Sequence, residues 1–273
     1  MYQLSFEIFV LAAVLFGAVF GSFLNVVICR LPIMISSDKD KDAPYNLIVP
    51  PSTCPHCSTQ IKAWHNIPVI SFGLLKGHCA HCQGSISWQY PLVELAAAGL
   101  AVLCYLQFGL SVQTLAAFVF VMFLLAISVI DYKYLLILDV LSLPLIGFGV
   151  LVSFWSVFSS INDALMGALL GYGFLWAIYW VTRLSAGKEA MGYGDFKLFA
   201  AIGAWLGWQM LPVVLLTGSL IGSLFGAGLM VAGRWKSGIE VPFGPFLATG
   251  ALIALFWGDK ITYLYFSVFI VTP

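Results

Sequence analysis

The chain consists mainly of long apolar segments separated by short polar connections. A helix needs roughly 17 to 25 apolar residues to cross the hydrocarbon layer of a membrane. Eight segments approach or reach this length, at about 8–29, 92–108, 112–130, 140–158, 162–181, 197–211, 213–233 and 245–260. Only 9% of the residues are charged, whereas a soluble protein carries about 25%. The sequence therefore predicts an all-α polytopic membrane protein with about eight transmembrane helices.

The count of eight leaves seven or nine open. Some of the segments are short, and the last one can continue into 261–271 after a break at Gly258-Asp259-Lys260. The N-terminal residues Met1–Glu7 contain no lysine or arginine, and the apolar run after them is too long for a signal peptide. We therefore expect a first helix that is retained.

The basic residues indicate how the helices are oriented. Eleven of the twelve lysines and arginines fall in alternate connections, namely 30–91, 131–139, 182–197 and 234–243. Lys260 alone falls on the other side. Because basic connections are retained in the cytoplasm, these four should be cytoplasmic and the N-terminus should face away. The formal net charge of zero argues against nucleic acid as a partner.

Two Cys-x-x-Cys pairs lie in the longest polar segment. Cys54-Pro55-His56-Cys57 and Cys79-Ala80-His81-Cys82 are separated by 21 residues, close to the usual spacing of two zinc knuckles. Each pair is followed by an isoleucine and then by a tryptophan, Trp64 or Trp88. This internal repeat predicts two similar knuckles around one ion. Four thiolates suit a tetrahedral structural zinc, whose binding would supply much of the folding energy of so small a module.

Two other interpretations of the cysteines have less support. A redox dithiol would normally lie beside a thioredoxin-like βαβ pattern, and the sequence around the pairs has none. Disulfides are disfavoured in a cytoplasmic segment. His56, His78 and His81 could each replace a cysteine as a ligand, but four thiolates make them unnecessary.

Two aspartates mark the ends of apolar segments. Asp131 ends the third segment and Asp195 precedes the sixth. Carboxylates at the edge of a membrane are costly, so they are candidates for function. Gly192 and Gly194 come just before Asp195, and glycine permits positive φ and close backbone approach. We therefore expect a tight turn, or room for an extended peptide, beside a site that both aspartates form on the cytoplasmic side.

Paired carboxylates support more than one function. Close like charges resist joint ionisation, so one member can deprotonate a water while the other polarises a carbonyl. This is the chemistry of aspartic-protease hydrolysis. Ion or proton transport, helix capping and a non-enzymatic assembly role are alternatives. An ion-coupled transporter with a zinc-stabilised loop would place polar residues on broken helices near the bilayer midplane, and such residues are few in this sequence.

Three further polar residues lie near helix ends. Glu94 either stabilises the N-terminus of its helix or contacts a substrate or cofactor. Asp139 begins the fourth segment, as its cap or as part of the site. Lys197 either pairs with a carboxylate or extends to the membrane interface. The segment 241–246, Val-Pro-Phe-Gly-Pro-Phe, predicts a rigid loop with a structural role.

The chain resembles the type IV prepilin peptidases, also called leader peptidase/N-methyltransferases, which carry a Gly-x-Gly-Asp signature of intramembrane aspartyl proteases. The resemblance spans nearly the whole chain. It rests on 21–27, 45–47, 51–52, both Cys-x-x-Cys pairs, 64–68, 90–94, Asp131, 191–198, 203–208 and 242–245.

The resemblance implies that Asp131 and Asp195 are the catalytic pair, with Gly192, Gly194 and Lys197 supporting the catalytic loop. It implies cleavage of the short basic leader of prepilins or pseudopilins, after a glycine, on the cytoplasmic side of the bacterial inner membrane. It also implies methylation of the new N-terminal amine with S-adenosylmethionine. The substrates would build type IV pili or a type II secretion pseudopilus.

The resemblance also implies a domain organisation. Residues 1–30 would form the first transmembrane helix, 31–91 the cytoplasmic zinc-binding module, and 92–273 the aspartyl protease bundle. The zinc ligands would be Cys54, Cys57, Cys79 and Cys82. Glu94 is a weaker candidate for a cofactor contact. Ile137-Leu138-Asp139 replaces the Leu-Pro-Asp common in the family, and the missing proline predicts a more helical link after Asp131.

Overall fold

The regular structure is helical. This computed structural model describes residues 2–36, 46–187, 191–233 and 241–269. Within these ranges the chain has short 3₁₀ turns, two isolated β-bridges and nine α-helices. The helices are α1 Tyr2–Ser36, α2 Ile70–Leu74, α3 Gln89–Phe108, α4 Val112–Tyr134, α5 Asp139–Ser153, α6 Ile161–Ala186, α7 Tyr193–Leu206, α8 Leu211–Val231 and α9 Gly244–Phe269.

Each of the eight predicted segments contains a helix, but eight spanning helices are not confirmed. Five stretches in the described ranges are long and apolar enough to cross a membrane: Phe6–Ile35, Gln89–Phe108, Val112–Tyr134, Ile161–Ser185 and Trp208–Val231. Helices α5, α7 and α9 are not among them. The break predicted at Gly258-Asp259-Lys260 is absent, because α9 continues through these residues. The chain is therefore a multi-pass helical membrane protein.

The chain divides into two compact units, residues 1–126 and 127–273. In the first unit, α1 packs closely on α3. A Cβ added at Gly17 would lie 2.7 Å from the carbonyl oxygen of Ala97, and one at Gly21 would lie 2.8 Å from the Cα of Glu94. These two glycines therefore allow the close packing of helix backbones that membrane interfaces use.

The second unit is organised around α7. Nearly every residue of α7 from Asp195 to Leu206 is buried, and an apolar helix that is buried on all sides serves as a core element. Gly203 of α7 lies in backbone contact with Gly167 of α6. At 14 residues, α7 is only about 21 Å long, which is shorter than the hydrocarbon layer of about 30 Å.

The link between α4 and α5 is extended and not helical. Leu135 has a φ of +53° and donates its N–H to the carbonyl oxygen of Asp131 at 2.8 Å, which ends α4. Leu138 then has φ −79° and ψ 131°. The prediction of a more helical link was wrong. The positive φ at Leu135 redirects the chain whether or not a proline follows.

Candidate active site and metal centre

Asp131 lies in the last turn of α4 and is buried, at 5% exposure. Its Oδ2 accepts a hydrogen bond from the backbone N–H of Gly244, the first residue of α9, at 2.9 Å. Since a buried carboxylate is costly without donors, this contact accounts for how the side chain is held. The bond joins residues 113 positions apart in the chain.

Asp195 lies in the first turn of α7 and is also buried, at 8% exposure. Its Oδ2 accepts from the backbone N–H of Gly192 at 3.3 Å, and its own N–H donates to the carbonyl oxygen of Gly192 at 3.2 Å. An acid in this position is favourable, because the N-terminus of a helix carries partial positive charge. The rings of Tyr179, Tyr193 and Phe196 pack together around this turn.

Ile137 joins the segments that carry the two aspartates. A Cβ added at Gly194 would lie 2.6 Å from the Cβ of Ile137, and one added at Gly244 would lie 3.3 Å from its Cδ1. The side chain of Ile137 therefore packs against the glycine before Asp195 and against the glycine that bonds Asp131. This contact brings the ends of α4, α7 and α9 to one place.

The two carboxylates also interact electrostatically. Burial and the negative charge of Asp131 together raise the pKa of Asp195 to about 7. Asp195 belongs to α7, which is not among the helices long enough to span a membrane. The structure thus brings together the two aspartates that the sequence singled out, at a distance where one affects the protonation of the other.

The glycines before Asp195 differ in what they do. Gly194 is required for close approach, because a side chain there would overlap Ile137. Gly192 has an ordinary φ of −82°, and a Cβ on it would lie 3.8 Å from Oδ2 of Asp195. Gly192 therefore does not use the freedom of glycine to adopt a positive φ. Gly192 contributes its backbone N–H, which donates a hydrogen bond to Oδ2 of Asp195.

Lys197 and Asp139 pair with each other. The Lys197 Nζ lies 2.6 Å from Oδ1 of Asp139, and the two side chains are 27% and 55% exposed. Of the two interpretations of Lys197, the structure favours pairing with a carboxylate. Asp139 does not cap α5 through its side chain, since the N-cap residue is Leu138 and no side-chain cap bond forms.

Glu94 lies in the first unit and holds the chain between the two cysteine pairs. It is the sixth residue of α3 and is buried, so the interpretation as a first-turn acid was wrong. The helix begins at Gln89, earlier than predicted. Glu94 Oε2 accepts the N–H of Val69 at 2.8 Å, and the carboxyl also bonds the Ser22 side chain. Val69 has a φ of +61°, so this bond supports an unusual backbone conformation.

The two cysteine pairs form matching knuckles. In the first, the Cys54 N–H donates to the Thr59 carbonyl oxygen at 3.0 Å, and Ser58 has a φ of 55°. In the second, the Cys79 N–H donates to the Gly84 carbonyl oxygen at 2.8 Å, and Gln83 has a φ of 57°. The repeat seen in the sequence is thus a repeat of backbone structure.

The four cysteine sulfurs form a cluster that could hold a metal ion. All four Sγ atoms lie within 4.8 Å of one another, and those of Cys54 and Cys82 are 3.8 Å apart. Zn–S bonds of about 2.3 Å in a tetrahedron would place the sulfurs about 3.8 Å apart, so the arrangement fits zinc. In the described residues the cluster contains no histidine.

Hydrogen bonding favours the thiolate form in parts of the cluster. The Thr59 hydroxyl and backbone N–H lower the pKa of the Cys57 thiol to about 6. The backbone N–H groups of Cys82 and His81 lower the pKa of Cys79. Because the thiolate is the metal ligand, these donors favour metal binding at Cys57 and Cys79, whereas burial and the neighbouring cysteine side chains raise the pKa of Cys82 to about 11.

Gly244 and Ile137 are the residues that sequence reasoning missed. The segment 241–246 was interpreted as structural, and nothing in its local pattern places it beside Asp131. A signal was nevertheless present, because a glycine directly before a proline at the start of a helix keeps a free N–H and a minimal side chain.

Comparison with known proteins defines the class. Residues 15–108 match the family model of the bacterial peptidase A24 N-terminal domain, and residues 118–227 match the type IV leader peptidase family. The first range contains the four cysteines of the cluster, and the second contains Asp131 and Asp195. The chain is thus similar to leader peptidases along most of its length. No solved structure matches it.

Curated relatives narrow the class to one family. Proteins called prepilin leader peptidase/N-methyltransferase are 46% identical in Stutzerimonas stutzeri, covering 95% of both chains, and 44% identical in Pseudomonas aeruginosa, covering 96% of this chain and 95% of the relative. The relative in Aeromonas hydrophila is 47% identical, covering 94% and 93%. The chain belongs to the prepilin leader peptidase/N-methyltransferase family.

Proposed function

We propose that this enzyme removes the leader peptide of type IV prepilins or pseudopilins and then methylates the new N-terminal residue. The observation that carries the proposal is the pair of buried aspartates, Asp131 and Asp195, which interact electrostatically. The family supplies the substrate class. A transporter would need polar groups near the midplane, whereas these carboxylates lie at the ends of α4 and α7.

The cleavage step assigns different roles to the two acids. Asp195 carries the shared proton and donates a hydrogen bond to the carbonyl of the scissile peptide. Asp131 is ionised and takes a proton from a water, whose oxygen attacks the carbonyl carbon. The tetrahedral intermediate then breaks its C–N bond as the amine takes a proton from the pair. Gly192, Gly194 and Lys197 support this loop, the first by its N–H and the third by its ion pair with Asp139.

Methylation follows cleavage, because it needs the amine that cleavage exposes. S-adenosylmethionine is the co-substrate. The free amine attacks its methyl group, the sulfonium sulfur leaves with its bonding pair, and the methylated amine releases a proton. Cleaved pilin supplied from outside should therefore be methylated without the aspartates.

The cysteine module is a structural element in this proposal. One zinc ion per chain is bound by Cys54, Cys57, Cys79 and Cys82, whose sulfurs have a suitable spacing. Residues 1–30 anchor the chain, 31–91 form the zinc module and 92–273 form the peptidase bundle. The enzyme lies in the bacterial inner membrane with the aspartates and the module on the cytoplasmic side, as the basic connections suggest.

Mass spectrometry of a prepilin expressed with the enzyme tests the proposal. The wild-type enzyme should yield pilin that lacks its leader and carries one methyl group. Asp131→Asn and Asp195→Asn should leave the leader in place, while exposed Asp259→Asn should process normally. Leader removal by both site variants would refute the assignment of the catalytic pair.

A further inference from the structure

The backbone N–H of Gly244 is a donor to Asp131 that the mechanism above does not use. It reaches Oδ2 at 2.9 Å in a buried setting. The first N–H groups of a helix have no acceptor within that helix, so α9 can offer this one to a side chain from another helix. The partial positive charge at the start of a helix also favours a negative carboxylate.

The local sequence fixes this N–H in place. The carbonyl oxygen of Phe243 accepts from the N–H groups of Phe246 and Leu247, each at 3.1 Å, which closes the first turn of α9. Pro245 has a fixed φ and is favourable in a first turn. The donor is therefore held by a rigid turn before any substrate arrives.

The close approach also requires that residue 244 has no side chain. A Cβ added at Gly244 would lie 2.7 Å from Oδ2 and 3.2 Å from Cγ of Asp131. Contacts this short would displace either the carboxylate or the turn. With Oδ2 held by Gly244, Oδ1 is the carboxylate oxygen left for the reaction.

We propose that Gly244 is a positioning residue for leader cleavage: its N–H holds Oδ2 of Asp131, so that Oδ1 faces the water shared with Asp195. This inference rests on the proposed function. It makes the segment 242–245 a third part of the peptidase site, beside the ends of α4 and α7.

Gly244→Ala is the first test, with two reactions measured on the same purified, detergent-solubilised enzyme. The kcat for prepilin cleavage should fall at least about tenfold and up to about a hundredfold, because a displacement near 1 Å has effects of that size. The KM should change less than about threefold. Methylation of pilin that was cleaved beforehand should stay within about twofold of wild type, since it bypasses Asp131.

Two glycine variants serve as matched controls. A Cβ at Gly228 meets no atom within 4 Å, so Gly228→Ala should leave both reactions unchanged. A Cβ at Gly250 would overlap the carbonyl oxygen of Val214. Gly250→Ala should therefore lower the melting temperature and reduce both reactions together, as general damage to α9 would.

A double variant distinguishes the two contacts that a Cβ at residue 244 would make, one with Asp131 and one with Ile137. The added Cβ would also approach Cδ1 of Ile137 at 3.3 Å, and Ile137→Val removes that atom. Combined with Gly244→Ala, it should leave cleavage low, because the contact with Asp131 persists. Recovery in the double variant would assign the loss to packing against Ile137 and overturn the proposal.

The remaining outcomes also decide between the hypotheses. Normal cleavage by Gly244→Ala, alongside no cleavage by Asp131→Asn, would refute the role of Gly244 and leave the proposed function standing. A parallel loss of cleavage and methylation in the single and double variants would show a structural role only. Normal cleavage by Asp131→Asn would refute the proposed function itself.

Discussion

Each aspartate accepts a hydrogen bond from the main chain of a residue that the structure describes. Asp131 accepts from Gly244 and Asp195 from Gly192, so one oxygen of each carboxylate is occupied by an amide. An amide cannot change its charge near neutral pH, and it keeps its position as long as the turn does. The main-chain amides therefore orient the carboxylates, and the carboxylates themselves exchange protons.

The protonation of Asp195 predicts how cleavage depends on pH. Burial and the charge of Asp131 raise its pKa to about 7, so the neutral form persists to higher pH than in an ordinary aspartate. Above that pH the pair loses its shared proton, and kcat/KM for cleavage should fall about tenfold per pH unit. A profile on detergent-solubilised enzyme measures this, with melting curves as the stability control. Activity that keeps rising from pH 7 to 9 would contradict the assignment.

The pair formed by Asp139 and Lys197 should matter little for the chemistry. Exposed ion pairs contribute about 0–1 kcal/mol, and these side chains are 55% and 27% exposed. Asp139→Asn should therefore reduce cleavage less than about fivefold. A double variant that combines Asp139→Lys with Lys197→Asp should cleave as well as the wild type, because the ion pair is kept with its members exchanged. A gel assay of leader removal measures this. A loss as complete as that of Asp131→Asn would instead place Asp139 in the reaction.

Asp131 and Asp195 could be singled out from the sequence because one follows and the other precedes an apolar run, and that pattern is local. It does not predict Gly244. The bond from Gly244 to Asp131 spans 113 positions, and only the packing of α9 against its neighbours creates it. Glu94 shows the same limit, because its partner Val69 belongs to a connection whose conformation has no local pattern.

At the scale of elements, the two knuckles are the most predictable part. Their cysteines, spacing and repeat were visible in the sequence, and both have the same hydrogen-bond pattern. The bounds of α7 were less predictable, since the apolar run continues to residue 211. The helix ends at Leu206, because Gly207 adopts a φ of +81° and redirects the chain.

The knuckles should depend on zinc for their folding. Structural zinc in small domains contributes about 10–16 kcal/mol, so Cys54→Ser should lower the zinc content and expose the segment to protease. Elemental analysis with limited proteolysis measures both effects. Cys29→Ser is the control, because Cys29 lies outside the cluster. Unchanged zinc in Cys54→Ser would remove this cysteine from the ligand set.

At the scale of the whole molecule, helical class and membrane location follow from composition, whereas the number of spanning helices does not. Helix α7 is apolar enough to be mistaken for a spanning helix, but protein and not lipid surrounds it. A hydropathy pattern cannot distinguish these two apolar surroundings. Burial is decided by which helices pack together, and this requires the fold.

Orientation in the membrane can be tested with thiol labelling. Lys133 and Asn162 are exposed, and the apolar helix α5 lies between them in the chain. In intact cells an impermeant maleimide should label Asn162→Cys and spare Lys133→Cys, because basic connections are expected inside. Lysed cells should label both, and the parent chain gives the background. The reverse pattern would place the aspartates outside the cytoplasm.

The main-chain donors at Gly192 and Gly244 also affect how this site can evolve. Every residue except proline has a backbone N–H, so substitutions at neighbouring positions do not easily remove these hydrogen bonds. Lineages should therefore vary freely in the side chains around the carboxylates while remaining intolerant of bulk at residue 244. Deep mutational scanning with pilus assembly as the selection should show substitutions depleted at residue 244, as at Asp131, Gly194 and Asp195, among neighbouring positions that tolerate them.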